Sequence, residues 1–173
     1  YGALGVTVGE AVFSTGMTGY QETITDPSYA GQIVLMTAPH IGITGVNGDD
    51  AESDRVWVAG LIVRDPSRMV SSYRATGSLD DELQRQGVIG MSGIDTRALT
   101  RRLRSVGVMR AGIFSGPDAE REPDDQLMQV RNSERMAGRN LSARVSTTVL
   151  RRLPAEGECI GSVAVLDLGV KAS

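Results

Sequence analysis

The fold class is decided by one stretch, residues 78–115, which reads SLDDELQRQGVIGMSGIDTRALTRRLRSVGVMRAGIFS. Ser78 is the predicted N-cap of a helix over 79–86, because a serine hydroxyl can accept a hydrogen bond from a free amide of the first turn. That turn is acidic, as the positive end of the helix dipole favours, and Gly87 suits the helix exit. A short strand is predicted over 88–91.

The second half of the stretch repeats the order of helix and strand. Asp95 or Thr96 opens a predicted helix that ends near Gly107, and residues 108–115 return as a strand. Apolar side chains share one face of this helix: Leu99, Leu103 and Val106. Basic side chains project on the opposite side: Arg97, Arg101 and Arg104. Alternating helices and strands indicate a mixed α/β domain.

Upstream of this stretch, three apolar segments are predicted strands. Residues 10–14 show short apolar alternation, and residues 33–36 form a continuous apolar run between turn residues. A longer strand is predicted over 55–65. It ends at Asp65-Pro66-Ser67, because proline cannot donate a hydrogen bond to a strand ladder.

Downstream of residue 115, the sequence predicts a loop, a helix, an irregular linker and then a new strand. Residues 117–125 are a predicted loop, residues 124–136 a predicted helix, and residues 137–161 an irregular linker with scattered glycine. Residues 162–169 have the pattern of a buried strand that ends in a glycine turn, as at the start of a new α/β domain. We therefore expect the rest of that domain to lie beyond Ser173.

Composition excludes several classes of protein. The 173 residues allow one domain and a fragment of a second. No run approaches the ~18 apolar residues of a membrane span, so the chain is expected to be soluble. Acidic residues number 21 and basic residues 18, which leaves no field to hold nucleic acid or an anionic membrane. The sequence that begins at Tyr1 shows neither a signal peptide nor a transit peptide, and Tyr1 is interpreted as a cut end. The single cysteine indicates a reducing cytoplasm.

The sequence contains no complete set of catalytic residues. A serine or cysteine nucleophile needs a base within hydrogen-bond reach, and His40 is the only histidine. Ser28 is not in a G-x-S-x-G elbow, and Cys159 lies in the predicted linker. His40 is interpreted as a hydrogen-bonded structural residue and Cys159 as a free thiol.

Metal and nucleotide sites are weakly supported. An acidic run is more typical of a solvated loop than of a metal site: Asp49, Asp50, Glu52 and Asp54. Three glycines match neither the dinucleotide fingerprint nor the P-loop: Gly42, Gly45 and Gly48. The arginine face of the helix near residues 95–107 lacks interleaved aromatics, which favours a solvated or partner-facing helix over a phosphate grip.

One turn is better suited to ligand binding than to catalysis. In MTGYQETITDPSYAGQIV, residues 17–34, Pro27 fixes its φ and Asp26 can cap the turn with its carboxylate. Ser28 is left able to donate and accept hydrogen bonds. It would suit a residue that positions a small polar ligand for chemistry in another domain, or it simply closes the turn.

Several ordered motifs resemble the small chain of carbamoyl-phosphate synthase. They are Gly9–Glu22, Thr25–Tyr29, Gly31–Ile33, Pro39–Gly42, Glu52–Ser53, Gly60–Asp65 and Gly93–Leu103. The resemblance identifies residues 1–150 as that family's N-terminal domain and residues 151–161 as a linker. Residues 162–173 resemble the start of a class I glutamine amidotransferase domain. The implied fold is a three-layer β/β/α sandwich followed by the first amidotransferase strand.

The resemblance also implies that this chain binds the substrate and that another domain carries the catalytic residues. Ser28 matches the serine that contacts bound L-glutamine in this family, whereas the catalytic cysteine, histidine and glutamate belong to motifs beyond Ser173. Cys159 matches no catalytic position. The chain alone is therefore predicted to be inactive as a glutaminase, with no catalytic residue and no cofactor of its own.

The implied partner is the large subunit, which uses ATP and a divalent metal to make carbamoyl phosphate from bicarbonate and ammonia. This chemistry serves arginine and pyrimidine biosynthesis in a cytoplasmic heterodimer, without nucleic acid or membrane. Two alternatives remain open. The domain could be only a docking module for the large subunit, or its arginine helix, with Arg97, Arg101 and Arg104, could bind nucleic acid.

Overall fold

The computed structural model describes residues 1–172, in which strands and helices are joined by turns and by longer irregular segments. The strands are β1 (Gly5–Ser14), β2 (Gln32–Met36), β3 (His40–Ile41), β4 (Gly60–Ile62), β5 (Asp65–Pro66), β6 (Ile89–Met91) and β7 (Met109–Ser115). The α-helices are α1 (Tyr20–Thr25), α2 (Leu79–Arg85), α3 (Thr96–Val106), α4 (Pro123–Asn132) and α5 (Ser142–Val145). Two 3₁₀ turns cover Pro27–Tyr29 and Gly116–Glu120.

One mixed sheet organises the chain, with strand order β6-β4-β2-β1-β7. β1 pairs in parallel with β2, and the parallel pairing continues through β4 to β6. β7 returns antiparallel to β1, so that Ala11 lies opposite both Ile33 and Met109. β3 and β5 form a separate parallel pair.

The first residues of the chain lie along β6. The backbone of Gly2 forms an antiparallel bridge with Ile89. The Ala3 amide donates to the Val88 carbonyl at 2.9 Å, and the Gly90 amide donates to the Tyr1 carbonyl at 2.8 Å. These contacts extend the sheet beyond its last named strand.

The sheet carries an apolar cluster on each face because strand side chains alternate. From β2, Val34 and Met36 enter one cluster, which α2 and the loops between strands cover. Ile33 and Leu35 enter the other cluster, together with Leu103 of α3. Full burial of such a side chain is worth about 1.5–3 kcal/mol. The predicted mixed α/β sandwich is thus confirmed.

Helices α2 and α3 begin at the capping residues that the sequence predicted. The Ser78 hydroxyl accepts a hydrogen bond from the Asp81 amide at 3.1 Å, which starts α2 as predicted. The Asp95 carboxylate accepts from the Ala98 amide at 2.9 Å and starts α3, which ends at Val106 with Gly107 as its C-cap. The strands predicted over 10–14, 33–36, 88–91 and 108–115 are also present within a residue or two, the first of them longer.

The long strand predicted over 55–65 is wrong. Only Gly60–Ile62 joins the sheet, because the neighbouring β6 offers a ladder of three residues. Val56 and Val58 are buried without belonging to a named strand. Asp65 and Pro66, expected to end the strand, form β5 against His40 and Ile41.

Several smaller expectations need correction. The predicted loop over 117–125 contains a 3₁₀ turn and the start of α4, and α4 ends at Asn132 instead of near residue 136. A four-residue helix, α5, interrupts the predicted linker. α1 was not predicted, since its six residues are too few to show a helical period. Val106 is half exposed, unlike the buried Leu103 with which it was grouped.

The strand predicted over 162–169 does not form. Its backbone has no regular hydrogen-bonding pattern, and Val163 and Leu166 are 90% and 82% exposed. A strand needs a neighbour to pair with, and within residues 1–172 none lies beside this segment.

Candidate functional site

The turn that carries Ser28 is stiff. Asp26 caps the 3₁₀ turn: one of its carboxylate oxygens accepts a hydrogen bond from the Ser28 amide at 2.8 Å. The Asp26 carbonyl also accepts from the Tyr29 amide, and the Pro27 carbonyl accepts from the Ala30 amide, each at 3.1 Å. Asp26 and Pro27 are buried, whereas Ser28 is exposed. The turn therefore holds one side chain outward on a fixed backbone.

The preceding helix is anchored to the loop that follows residue 50. The Thr25 hydroxyl accepts a hydrogen bond from the Glu52 amide at 2.9 Å, and the Thr25 carbonyl accepts from the Ser53 hydroxyl at 2.6 Å. The Trp57 amide donates to the Ile24 carbonyl at 2.8 Å. These bonds fix the C-terminal end of α1, and with it the start of the Ser28 turn.

The last described residues return to the same turn. The ammonium group of Lys171 lies 3.6 Å from the second carboxylate oxygen of Asp26. The Ala172 amide donates to the Glu52 carbonyl at 3.0 Å. Gly169 is packed so closely that an added Cβ would lie 3.3 Å from the Cβ of Pro27. The C-terminal segment therefore lies beside the turn that carries Ser28.

Asp167 stabilises the bend in this returning segment. One of its carboxylate oxygens accepts hydrogen bonds from the amides of Val170 and Gly169, each at 2.9 Å. These two backbone hydrogen bonds, the Val170 bond first, lower the pKa of Asp167 below its usual value. The bend is therefore held while Asp167 is ionised.

The Ser28 hydroxyl makes no hydrogen bond to any of residues 1–172 and is free to meet a ligand. The other reactive side chains of the sequence bond elsewhere. His40 is exposed and pairs through Nδ1 with Asp65 at 3.1 Å, and the exposed Cys159 thiol bonds the Gly161 carbonyl. The site can position a polar group, and among residues 1–172 no side chain forms a hydrogen bond with the Ser28 hydroxyl that could activate it as a nucleophile.

Within residues 1–172, no three histidine, cysteine or carboxylate side chains lie close enough together to hold a metal ion, and the acidic run makes other contacts. Asp50 accepts hydrogen bonds from the Asn47 amide group and from Arg74, and these bonds lower its pKa. Glu52 is buried, so the interpretation of the whole run as a solvated loop is wrong at this residue. It is buried because its backbone joins Thr25 and Ala172.

The predicted arginine face of α3 is exposed. The side chains of Arg97, Arg101 and Arg104 all reach solvent, as amphipathic spacing requires. In the same part of the structure, residues 1–172, no helix combines the length and apolar character that crossing a membrane requires.

Comparison with known proteins defines the class. The family model described as "Carbamoyl-phosphate synthase small chain, CPSase domain" matches residues 1–113. The chain belongs to this family.

Individual relatives agree with this assignment. A carbamoyl phosphate synthase small chain of Streptomyces coelicolor is 60% identical over 171 residues, which is 99% of this chain and 45% of the relative. Those of Streptomyces avermitilis and Mycolicibacterium paratuberculosis are 59% and 57% identical, over 99% and 100% of this chain and 45% and 47% of the relatives. The chain thus spans about half the length of the curated relatives it matches.

The sequence predicted the Asp26 cap, which the structure confirms, but not the approach of the C-terminal segment; the role of Ser28 stays a prediction. The Asp-Pro-Ser pattern is a local turn signal that can be read directly. The approach of Lys171 to Asp26 is a tertiary contact between residues far apart in the sequence, and no local sequence pattern predicts it.

Proposed function

We propose that this chain forms the N-terminal part of the small subunit of a glutamine-dependent carbamoyl-phosphate synthase and contributes a substrate contact. Ser28 offers its hydroxyl to L-glutamine, while an amidotransferase domain following residue 161 hydrolyses the amide. The ammonia then passes to a large subunit that uses ATP, a divalent metal and bicarbonate. The assembly acts in the cytoplasm as a heterodimer, for arginine and pyrimidine synthesis.

The observation that supports this proposal most directly is the free Ser28 hydroxyl beside residues 169–172. Its amide is fixed by Asp26, whose other carboxylate oxygen lies 3.6 Å from Lys171, in the segment where we place the start of a second domain. A hydroxyl in that place can accept or donate one hydrogen bond to a ligand held between two domains. Because bond breaking requires a nucleophile and base, the chain's role is binding and orientation.

The test is Ser28→Ala in the full-length small subunit assembled with its large subunit. Loss of one neutral hydrogen bond should cost about 1 kcal/mol, which corresponds to a roughly fivefold higher KM for glutamine. Synthesis from added ammonium chloride should be unchanged, since that route bypasses the glutamine site. Steady-state kinetics with each nitrogen donor measures both effects.

Ser92→Ala is the matched control, because Ser92 is also exposed and its hydroxyl also has no hydrogen-bond partner among residues 1–172. It should leave both nitrogen donors unaffected. An equal loss with glutamine and ammonia in Ser28→Ala would show that Ser28 only closes its turn. Rapid glutamine hydrolysis by the isolated 173-residue chain would contradict the assignment of chemistry to another domain.

A further inference from the structure

Buried polar side chains are concentrated around the turn that carries Ser28. Within residues 1–172, five polar or charged residues are buried: Gln21, Thr25, Asp26, Glu52 and Thr96. All but Thr96 belong to α1, to the turn itself or to the loop segment that bonds to α1. Burial of a polar group costs free energy unless hydrogen bonds replace those to water. The fold therefore holds this turn with groups that are costly to bury.

Asp26 is the member of this group that bonds directly to Ser28. One carboxylate oxygen accepts the hydrogen bond from the Ser28 amide at 2.8 Å, and the other lies 3.6 Å from the ammonium group of Lys171. The Asp26 side chain is 13% exposed, whereas that of Lys171 is 47% exposed. A half-exposed ion pair at this distance is weak, while a short hydrogen bond to a buried carboxylate is strong. The bond to the Ser28 amide is the principal contact of this carboxylate.

This bond determines where the Ser28 hydroxyl can lie. The Ser28 amide is near the start of the 3₁₀ turn, where amides have no acceptor within the turn itself. Without the carboxylate, only the bonds from the Tyr29 and Ala30 amides would hold the turn. The exposed Ser28 hydroxyl makes no hydrogen bond to residues 1–172, so the backbone alone fixes its position. A looser backbone would spread the hydroxyl over several positions.

We propose that Asp26 is a positioning residue for L-glutamine, which acts through Ser28 and by the reach of its carboxylate oxygen, not by its negative charge. This inference rests on the proposed function and adds a second residue and the property that it must have. An asparagine carries an acceptor oxygen at the same distance from the backbone and favours the same kind of turn. A glutamate keeps the charge, but its extra methylene does not suit a cap between residues two apart.

The experiment uses three substitutions in the full-length small subunit assembled with its large subunit. Asp26→Asn keeps the reach and loses the charge, Asp26→Glu keeps the charge and loses the reach, and Asp26→Ala loses both. Steady-state kinetics gives kcat and KM with glutamine and, separately, with ammonium chloride. Thermal melts of each variant verify the fold.

The expected effect is confined to the KM for glutamine. Asp26→Asn should change it by less than about twofold, whereas Asp26→Glu and Asp26→Ala should raise it about three- to fivefold, since roughly fivefold is the loss expected for the Ser28 contact itself. The kcat with glutamine and both constants with ammonium chloride should stay near those of the wild type. A residue that merely supports the fold would not affect one nitrogen donor alone.

A double substitution shows whether Asp26 acts through Ser28. Two residues that serve one contact are not additive, so Asp26→Ala/Ser28→Ala should have the same KM for glutamine as Ser28→Ala alone. A further increase in KM on adding Asp26→Ala to Ser28→Ala would overturn the inference.

Asp95→Ala is the matched control. Asp95 caps α3 by the same chemistry, since its carboxylate accepts a hydrogen bond from the Ala98 amide at 2.9 Å. Loss of this cap should lower the melting temperature without changing the KM for either nitrogen donor. The control separates the loss of a cap in general from the loss of the cap at Ser28.

Three results would each contradict the inference. They are a wild-type KM in a folded Asp26→Ala variant, an equal loss with both nitrogen donors, and wild-type kinetics of Asp26→Glu beside a raised KM in Asp26→Asn. The last result would assign the role to the charge and to Lys171. If Asp26→Ala does not fold, the comparison of the asparagine and glutamate variants still decides.

The kinetics of Ser28→Ala distinguish failure of this inference from failure of the proposed function. An unchanged KM for glutamine in Ser28→Ala would refute the proposed substrate contact and this inference with it. A raised KM in Ser28→Ala beside an unchanged KM in Asp26→Ala would overturn the inference alone and leave the proposed function in place.

Discussion

Residues 33–36 and residues 163–166 are both short apolar runs, Ile-Val-Leu-Met and Val-Ala-Val-Leu, yet they end in opposite environments. The first run lies in β2; each of its four residues is at most 1% exposed, and its backbone pairs with β1 and β4. The second has no ladder, and Leu166 is 82% exposed. Both runs are entirely apolar, so their composition does not predict which of them is buried.

The difference lies in what surrounds each run. An apolar segment gains free energy only when other apolar surface covers it, and its backbone is satisfied only when a neighbouring strand supplies donors and acceptors. Residues 33–36 find both, because β1 and β4 flank them in the sheet. A buried strand is therefore a property of the neighbourhood as much as of the segment.

Hydrogen exchange should show the largest contrast. Amides of β2 should exchange only through global opening, which at a stability of about 5 kcal/mol slows exchange more than ~1,000-fold. Amides of residues 163–166 in the 173-residue chain should exchange almost as fast as an unfolded peptide. Mass-spectrometric exchange on peptides from each run measures this, and comparable protection of the two would remove the distinction.

Matched truncations test the same contrast in stability. Leu35→Ala should destabilise the chain by about 2–5 kcal/mol, because it leaves a cavity in the cluster that Leu103 of α3 shares. Leu166→Ala should change stability by no more than about 0.5 kcal/mol, since its side chain is exposed. Urea unfolding gives both values. A large loss for Leu166→Ala would mean that this residue is packed in solution.

Two glycine-to-alanine substitutions should show the same contrast, with smaller changes in stability. An added Cβ at Gly60 would lie 2.9 Å from the Ile113 side chain and 3.1 Å from the Ile89 carbonyl, so Gly60→Ala should cost about 1–3 kcal/mol. Gly161 has nothing within 4 Å of that position, and Gly161→Ala should be close to neutral. Melting temperatures of the two variants compare them. Equal values would show that β4 has room to adjust.

The parts of the fold that were predictable are those with local signals. Ser78 and Asp95 predict the starts of α2 and α3 because each cap is a hydrogen bond between residues three apart. Asp26-Pro27 predicts a turn for a similar reason, since the Asp26 cap joins residues two apart. The end of β4 was not predictable, since it depends on the length of β6. The segment that meets Asp26 through Lys171 depends likewise on tertiary contact.

The residues that lie along β6 have a consequence for the integrity of the chain. Tyr1 and Ala3 occupy the hydrogen-bonding groups of Gly90 and Val88, so the outer backbone of β6 is not presented to other molecules. Without residues 1–3 at this position, the outer edge of β6 would expose a row of free amides and carbonyls. Such an exposed row is a template for pairing between chains, and a protein in which this segment is displaced would be prone to aggregate.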